Sequence, residues 1–166
     1  YSDVGGALNR ILMVTHITDH QVGWLSTTSM AMFSVILVNI WRGTPFIAIS
    51  VLAGLQNISS DLYEAAALDG ANVLKRFWYV TLPSVKEVIK LSAFVTTIWT
   101  RNDFEIVWNM TRGGPSHATE LVSTYSYIEG FLNSNIGRSI AASLILVPIL
   151  VILVHFVTKS SLKDED

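Results

Sequence analysis

Residues 29–55 read SMAMFSVILVNIWRGTPFIAISVLAGL and form a long, almost entirely apolar stretch. A bilayer core of about 30 Å needs roughly 20 such residues in a helix. At about 1.5 Å per residue this stretch would be about 40 Å long, enough to cross a bilayer with tilt. Dividing it at Arg42 and Pro45 would leave a second half that is too short to span. We therefore predict one long helix, kinked near Pro45, where a backbone donor is missing.

Two further apolar stretches predict spans of the same kind. The stretch at 85–108 contains the apolar run 91–99, and the stretch at 139–158 carries no formal charge. Together the three predict an all-α fold, a polytopic transmembrane helical bundle with three spans. The predicted connections are an outer segment at 1–28, a loop at 56–84, an outer loop at 109–138 and a tail at 159–166.

The composition excludes several classes of protein. Of the 166 residues, 51% are hydrophobic and 14% are charged, which is too little charge for a disordered chain. With 11 basic and 13 acidic residues, the chain has no basic footprint for nucleic acid. It contains no cysteine, which excludes disulfides and thiolate metal sites. The chain begins at Tyr1 without a recognisable signal peptide, so we expect a fragment or a trimmed chain.

The distribution of basic residues predicts an orientation. Six Lys and Arg residues fall on or beside the 56–84 loop and the tail, and four fall on the opposite side. Because basic residues are enriched on the cytoplasmic side of membrane proteins, we expect that loop and the tail in the cytoplasm.

The loop itself predicts two short helices. Residues 58–83 read ISSDLYEAAALDGANVLKRFWYVTLP. Asp61 can cap the first helix, with Glu64 three residues later, and Gly70 can end it with a left-handed residue. Asn72 can cap a second helix, which Leu82-Pro83 would close. The result is a helix–turn–helix.

One face of the second predicted helix is apolar and aromatic. Val73, Leu74, Phe77 and Trp78 recur at the spacing of a helix face, and the loop is too small to bury them. In one interpretation the two helices lie on the membrane surface or against the spans. In the other they form a knob that inserts into a groove on a soluble partner.

The loop contains a fixed pattern of Glu64-Ala65-Ala66, Gly70, Val80 and Leu82-Pro83. This pattern resembles the cytoplasmic coupling loop of permease subunits in binding-protein-dependent ABC importers. Val80 stands where isoleucine is more usual in that family, which is a mild departure from its pattern. The flanking runs at 41–46 and 111–115 resemble sugar importers of the maltose and glycerol-phosphate type, and most closely the maltose-type "F" permeases.

The resemblance implies a permease subunit of an ATP-driven importer, part of the pathway for a sugar or related carbohydrate, which works by alternating access. It implies one transmembrane domain over 1–166 that lacks N-terminal spans, in a multi-pass protein of a bacterial or archaeal plasma (inner) membrane. Such a subunit is not an enzyme, has no catalytic or metal residues and binds no cofactor. The chain has no phosphate-binding loop, so ATP belongs to a partner subunit. The implied partners are a second permease subunit, two cytoplasmic ABC ATPase subunits, an extracytoplasmic solute-binding protein and the lipid bilayer, with no nucleic acid.

The resemblance also implies roles for residues of the loop. Glu64 would contact the ATPase, Gly70 would give the sharp turn, and Phe77 and Trp78 would brace the knob. The residues that it assigns to ATPase coupling are Glu64, Ala65, Ala66, Asp69, Gly70, Phe77, Trp78, Leu82 and Pro83.

A second group of polar residues lies near the outer end of the second span. Arg101 and Glu105 are four residues apart, which favours a local ion pair. Alternatively, Asn102 and Asp103 hydrogen-bond sugar hydroxyls. The nearby aromatic rings either stack on sugars or anchor the span at the interface. Arg42 should have a partner or a water path. The candidate pathway residues are Asn39, Arg42, Trp99, Asn102, Asp103 and Phe104.

Two other classes of function remain as alternatives. A secondary transporter or another membrane channel subunit could share the kinked helices and the buried charge, but it would not need the Glu-Ala-Ala loop. An intramembrane enzyme would need paired catalytic residues inside the spans, where only Arg101, Asp103 and Glu105 cluster.

Overall fold

The computed structural model describes residues 1, 6–101 and 103–163, and these residues form helices and connecting turns without a strand. The predicted all-α class is thereby confirmed. Two short segments are wound as π-helix, and we call them the first and second π-turn. In chain order the elements are α1 (Ala7–Val14), α2 (Thr28–Gln56), α3 (Ser60–Leu68), α4 (Val73–Arg76), the first π-turn (Phe77–Thr81), α5 (Leu82–Arg101), α6 (Phe104–Met110), α7 (Val122–Tyr127), the second π-turn (Ile128–Leu132) and α8 (Ile136–Lys163).

The first apolar stretch is one helix, as predicted. α2 runs without interruption past Pro45. The hydroxyl of Thr44, the residue before this proline, donates to the Ile40 carbonyl at 2.7 Å. Within the described residues, α2 is the helix long and apolar enough to cross a membrane. The described apolar part of α8, Ile136–Ile152, is shorter. Helices therefore occupy all three predicted spans, while the three-span arrangement itself stays a prediction.

The other two helices differ from their predicted bounds. The predicted span at 85–108 is not one helix, because α5 begins at Leu82 and ends at Arg101, and α6 begins after a break. Asp103, at the break, has a ψ of 72°, far from helical values. The span predicted at 139–158 extends in both directions as α8, so the predicted tail begins inside a helix.

α2 and α5 pack against each other along their lengths through small residues. A Cβ built on Gly54 would lie 3.2 Å from Cγ2 of Val88, and one on Gly43 would lie 3.5 Å from Cγ2 of Thr96. Small residues let two helix backbones approach closely where no larger side chain would fit. This pair therefore forms the framework that carries the predicted site residues.

The 56–84 loop folds into the predicted helix–turn–helix, with one different cap. Ser59, rather than Asp61, caps α3, since its hydroxyl accepts from the Asp61 amide at 3.3 Å. Gly70 follows with a φ of +74°, the left-handed conformation that was predicted. Asn72 caps the next helix, as predicted, by accepting from the Lys75 amide at 2.9 Å.

The prediction that Leu82-Pro83 closes the second helix is wrong. α4, the first π-turn and α5 follow one another without a break, so the helix runs from residue 73 to residue 101. We call this continuous element the rod. The Leu82 amide donates to the Phe77 carbonyl, a π-type bond over five residues. Pro83 lies inside the rod, two residues after the first π-turn, and its missing N–H removes one backbone hydrogen bond there.

Candidate functional site

The predicted site residues fall into two groups at the two ends of α5. Residues 59–83, which we call the coupling segment, adjoin its Leu82 end. Asn39, Arg42, Thr100 and Asp103, which we call the polar cluster, lie at its Arg101 end. With 20 residues in α5, the two groups are about 30 Å apart.

The coupling segment presents its predicted contact residues to the outside. Glu64, Asp69 and Gly70 are exposed. Trp78 is 57% exposed and packs edge to face with Phe77, at a distance of 5.6 Å between ring centroids. The apolar face predicted for this helix is therefore left uncovered by the chain itself. Ala65 and Leu68 are exposed beside it, while Ala66 and Leu82 are half-buried.

Three residues that sequence reasoning did not select hold the coupling segment together. The Tyr63 and Thr81 hydroxyls lie 2.9 Å apart and join α3 to the end of the first π-turn. Arg76 Nε donates to the Ala71 carbonyl at 2.9 Å and closes the connection between them. Eighteen residues separate Tyr63 from Thr81, so no local spacing signal could have paired them.

The polar cluster centres on the Asp103 carboxylate. Its Oδ2 accepts from the Arg42 guanidinium and, at 3.1 Å, from Asn39 Nδ2. The Thr100 hydroxyl donates to Asn39 Oδ1 at 3.1 Å. The Asp103 side chain is 4% exposed and that of Arg42 is 46% exposed. Arg42 thus has the partner that its position required.

The predicted local ion pair between Arg101 and Glu105 is wrong. The helix break separates α5 from α6, and among the described residues the ion pair found at this end joins Arg42 to Asp103. Oδ2 of Asp103 is therefore held by the protein's own donors, Arg42 and Asn39. Asn102, the other residue proposed to hydrogen-bond sugar hydroxyls, lies outside the described residues.

Three pockets open beside this cluster, and two of them also reach Arg42. One of about 480 Å³ is lined by Arg42, Ile98, Trp99, Asp103, Phe104 and Glu105. Another of about 270 Å³ is lined by Asn39, Arg42, Gly43, Phe46, Thr96, Trp99 and Thr100. Arg42 and Trp99 border both. The structure thus combines hydrogen-bonding side chains with an exposed indole ring, a surface that suits a polyhydroxylated ligand with an apolar face.

Phe104 also belongs to an aromatic cluster that reaches away from the pockets. Its ring lies 5.3 Å from that of Trp108 and 5.2 Å from that of Tyr127. Tyr127 in turn stacks on the exposed Phe131 at 5.1 Å, and the Arg112 guanidinium carbon lies 5.8 Å from the centre of the Trp108 ring. These contacts fix α6 against α7. They also hold Phe104 in place at the border of the pocket of about 480 Å³.

Comparison with known proteins places the chain in a family. The model of the family described as "Binding-protein-dependent transport system inner membrane component" matches residues 8–160. The "Trehalose/maltose transport system permease protein MalF" of Thermococcus litoralis is 38% identical over 122 residues, 74% of this chain and 41% of the relative. The "Diacetylchitobiose uptake system permease protein DasB" of Streptomyces coelicolor is 34% identical over 143 residues, 86% of this chain and 44% of the relative. The resemblance to ABC sugar-importer permeases is confirmed.

The fold also matches a solved structure. A bacterial ABC transporter involved in the import of the acidic polysaccharide alginate superposes with a TM-score of 0.83 at 24% identity, over 98% of this chain and 56% of that chain. At 24% identity this match shows that the two chains share a fold. The chain spans about half the length of the curated relatives it matches.

Proposed function

The chain belongs to the family of binding-protein-dependent transport system inner membrane components, and on that basis we propose that it is a permease subunit of an ATP-driven importer. The proposed cargo is a sugar or related carbohydrate, which crosses the membrane by alternating access. The permease performs no covalent step, and ATP is hydrolysed on separate cytoplasmic ABC ATPase subunits.

The observation that carries this proposal is the exposed coupling segment. Glu64 and the aromatic face of Phe77 and Trp78 lie together on a folded projection that the chain itself leaves uncovered. An amphipathic helix with an exposed apolar face binds well in a groove on another protein. An ATPase subunit in the cytoplasm supplies such a partner, and the rod joins this surface directly to the polar cluster.

The pockets beside the polar cluster support a carbohydrate cargo. Arg42 donates to Asp103 through one nitrogen and remains half-exposed, so its other N–H groups can reach sugar hydroxyls. Trp99, 52% exposed, offers a ring face for the apolar side of a sugar. We assign Asp103 the role of holding Arg42 and Asn39 in position rather than contacting the cargo.

The remaining partners follow from the same proposal. A second permease subunit completes the pathway, two ATPase subunits bind on the cytoplasmic side, and an extracytoplasmic solute-binding protein delivers the sugar. The family of inner membrane components supports a multi-pass protein of the plasma membrane. A solved alginate transporter of the same fold is in complex with its pentasaccharide-bound periplasmic protein. The loop at 56–84 and the tail at 159–166 are proposed to face the cytoplasm.

Co-purification and uptake test this function. The full-length permease, expressed with its second permease and ATPase subunits, should retain the ATPase through purification and take up sugar only with ATP. Glu64→Ala should weaken both ATPase retention and uptake, because it removes the exposed acid of the contact surface. Glu87→Ala is the matched control, since Glu87 is an exposed acid on α5 that pairs with Lys90 at 2.9 Å.

Two results would contradict the proposal. Unchanged uptake in a variant that combines Glu64→Ala with Gly70→Ala would exclude the coupling role of the segment. Uptake that follows an ion gradient in vesicles without ATP would instead identify a secondary transporter.

A further inference from the structure

We propose that the hydroxyl pair of Tyr63 and Thr81 positions α3 on the rod, so that movement of the ATPase-contacting surface is transmitted to α5. This inference rests on the proposed function and names positioning residues within it. The two hydroxyl oxygens lie 2.9 Å apart in a partly buried contact. Thr81 ends the first π-turn, and Tyr63 precedes Glu64 on α3.

The hydroxyl pair joins two helices whose covalent connection is a short turn between residues 68 and 73. That connection passes through Gly70, whose φ is +74° and which has open space around its Cβ position. A glycine restricts the backbone less than any other residue. No other side-chain hydrogen bond among the described residues joins α3 to the rod. Across Gly70 the Ala71 amide donates to the Ala66 carbonyl at 2.9 Å, so backbone bonds close the turn and the hydroxyl pair adds the side-chain contact between α3 and the rod.

The Thr81 side chain lies close to the backbone of the rod. Its Oγ1 is 2.9 Å from the Tyr63 hydroxyl oxygen, where either hydroxyl can donate, and 3.5 Å from the Arg76 carbonyl oxygen at the end of α4. Tyr63 therefore contacts a short side chain at the end of the π-turn rather than a long, mobile one.

The rod carries that tie to the other end of the molecule. It is continuous from residue 73 to residue 101. Thr100, near its last turn, donates to Asn39 of α2, which in turn donates to Asp103. Displacement of α3 therefore reaches the polar cluster through one helix and two hydrogen bonds, provided that α3 and the rod move together.

The experiment compares coupling ratios in the assembled transporter. The permease with its second permease, ATPase subunits and solute-binding protein is reconstituted in liposomes, and sugar uptake and ATP hydrolysis are measured together. Tyr63→Phe and Thr81→Val each remove one hydroxyl and little else. Each should lower the sugar transported per ATP at least threefold, with ATP hydrolysis within twofold of the wild type. Thr81→Ser keeps the hydroxyl and should restore the wild-type ratio.

The double variant and the assembly yield decide the remaining outcomes. If the pair acts as a unit, Tyr63→Phe with Thr81→Val should be no worse than either single change. An unchanged ratio in both single variants overturns the proposal. A lower yield of assembled complex combined with an unchanged ratio also overturns it. So does the absence of any assembled complex in both single variants, because the contact would then be merely structural. Wild-type liposomes without ATP-dependent uptake would instead refute the proposed function, before any variant is compared.

Discussion

Asp103 and Arg42 form an ion pair in which the carboxylate is buried and the guanidinium is half-exposed. The Asp103 side chain is 4% exposed, against 46% for Arg42. The pair links α2 to the break between α5 and α6, and Asn39 donates to the same carboxylate oxygen. Removing a charge from water is costly unless a partner and further hydrogen bonds offset the cost. The two residues are therefore unequal members of the pair.

We expect Arg42→Ala to destabilise the protein more than Asp103→Ala. Losing Arg42 leaves a buried carboxylate without its cation, at a cost of about 3–5 kcal/mol for a fully buried charge. Losing Asp103 leaves the half-exposed Arg42 guanidinium at the border of two pockets without its partner, at a smaller cost of about 1–2 kcal/mol. Thermal unfolding of the purified transporter in detergent measures the difference. Glu87→Ala, in an exposed pair, should change stability by less than about 1 kcal/mol. The reverse order of Arg42 and Asp103 would contradict the asymmetry.

Gly70→Ala should destabilise the coupling segment through backbone strain alone. Gly70 has a φ of +74° and no atom within 4 Å of its Cβ position. A residue with a Cβ in the left-handed region costs about 1–2 kcal/mol. Gly137→Ala is the matched control, because Gly137 also has open space but lies within α8 without a positive φ. That change should be neutral or stabilising by up to about 1 kcal/mol. Equal effects at the two positions would show that φ is not the cause.

Asn9→Ala should loosen the segment before α2. Asn9 is 2% exposed; its Nδ2 donates to the Val22 carbonyl at 3.0 Å, and its Oδ1 accepts from the Val22 amide at 3.1 Å and from Trp24 Nε1 at 2.9 Å. Each such bond contributes about 1 kcal/mol, so we expect a loss of about 2–3 kcal/mol in unfolding experiments. Asn133→Ala removes one exposed bond, to Glu129, and should cost less than about 1 kcal/mol. A loss at Asn9 no larger than at Asn133 would exclude this network as a stabilising element.

Gly54→Ala should be worse than Gly43→Ala at the interface of α2 and α5. The new Cβ at residue 54 would meet Val88 Cγ2 at 3.2 Å, whereas at residue 43 it would meet Thr96 Cγ2 at an ordinary 3.5 Å. Val88 is stiff at χ1 and cannot rotate away freely. We expect Gly54→Ala to be about 1 kcal/mol less stable than Gly43→Ala, as measured by unfolding of the two variants side by side. Equal stabilities would mean that the helices shift apart without cost.

Local chemistry explains what could be predicted from the sequence. The length of the apolar stretch outweighed the single proline, so α2 was predicted as one helix. Gly70 and Asn72 are residues whose preferred backbone and side-chain geometry match a helix end and a helix start. The cost of a charge near an apolar stretch required a partner for Arg42, although the spacing did not reveal which one.

The errors arose where tertiary contacts decide. Asp103 lies 61 residues from Arg42, so no local spacing could pair them, although Asn and Asp at 102 and 103 are residue types that often stand at helix boundaries. Leu82-Pro83 was predicted as a stop, because a proline usually ends a helix. The helix instead continues through the first π-turn. Thr81, the last residue of that turn, contacts the hydroxyl of Tyr63, which belongs to α3. α3 begins two residues earlier than predicted, so Ser59 rather than Asp61 caps it and accepts a hydrogen bond from the Asp61 amide.

The first π-turn also determines the direction in which the side chains of α4 point relative to those of α5. A π-turn accommodates one residue more than an α-helical turn, and one residue corresponds to about 100° around a helix axis. The side chains of α4 are therefore turned relative to those of α5 by about that angle, compared with an uninterrupted α-helix. Deleting one residue of the π-turn would therefore leave a plain α-helix in which α4 keeps its direction relative to α5. Straightening the π-turn into α-helix with all its residues kept would instead turn α4, with Val73 and Leu74, by about 100° around the axis.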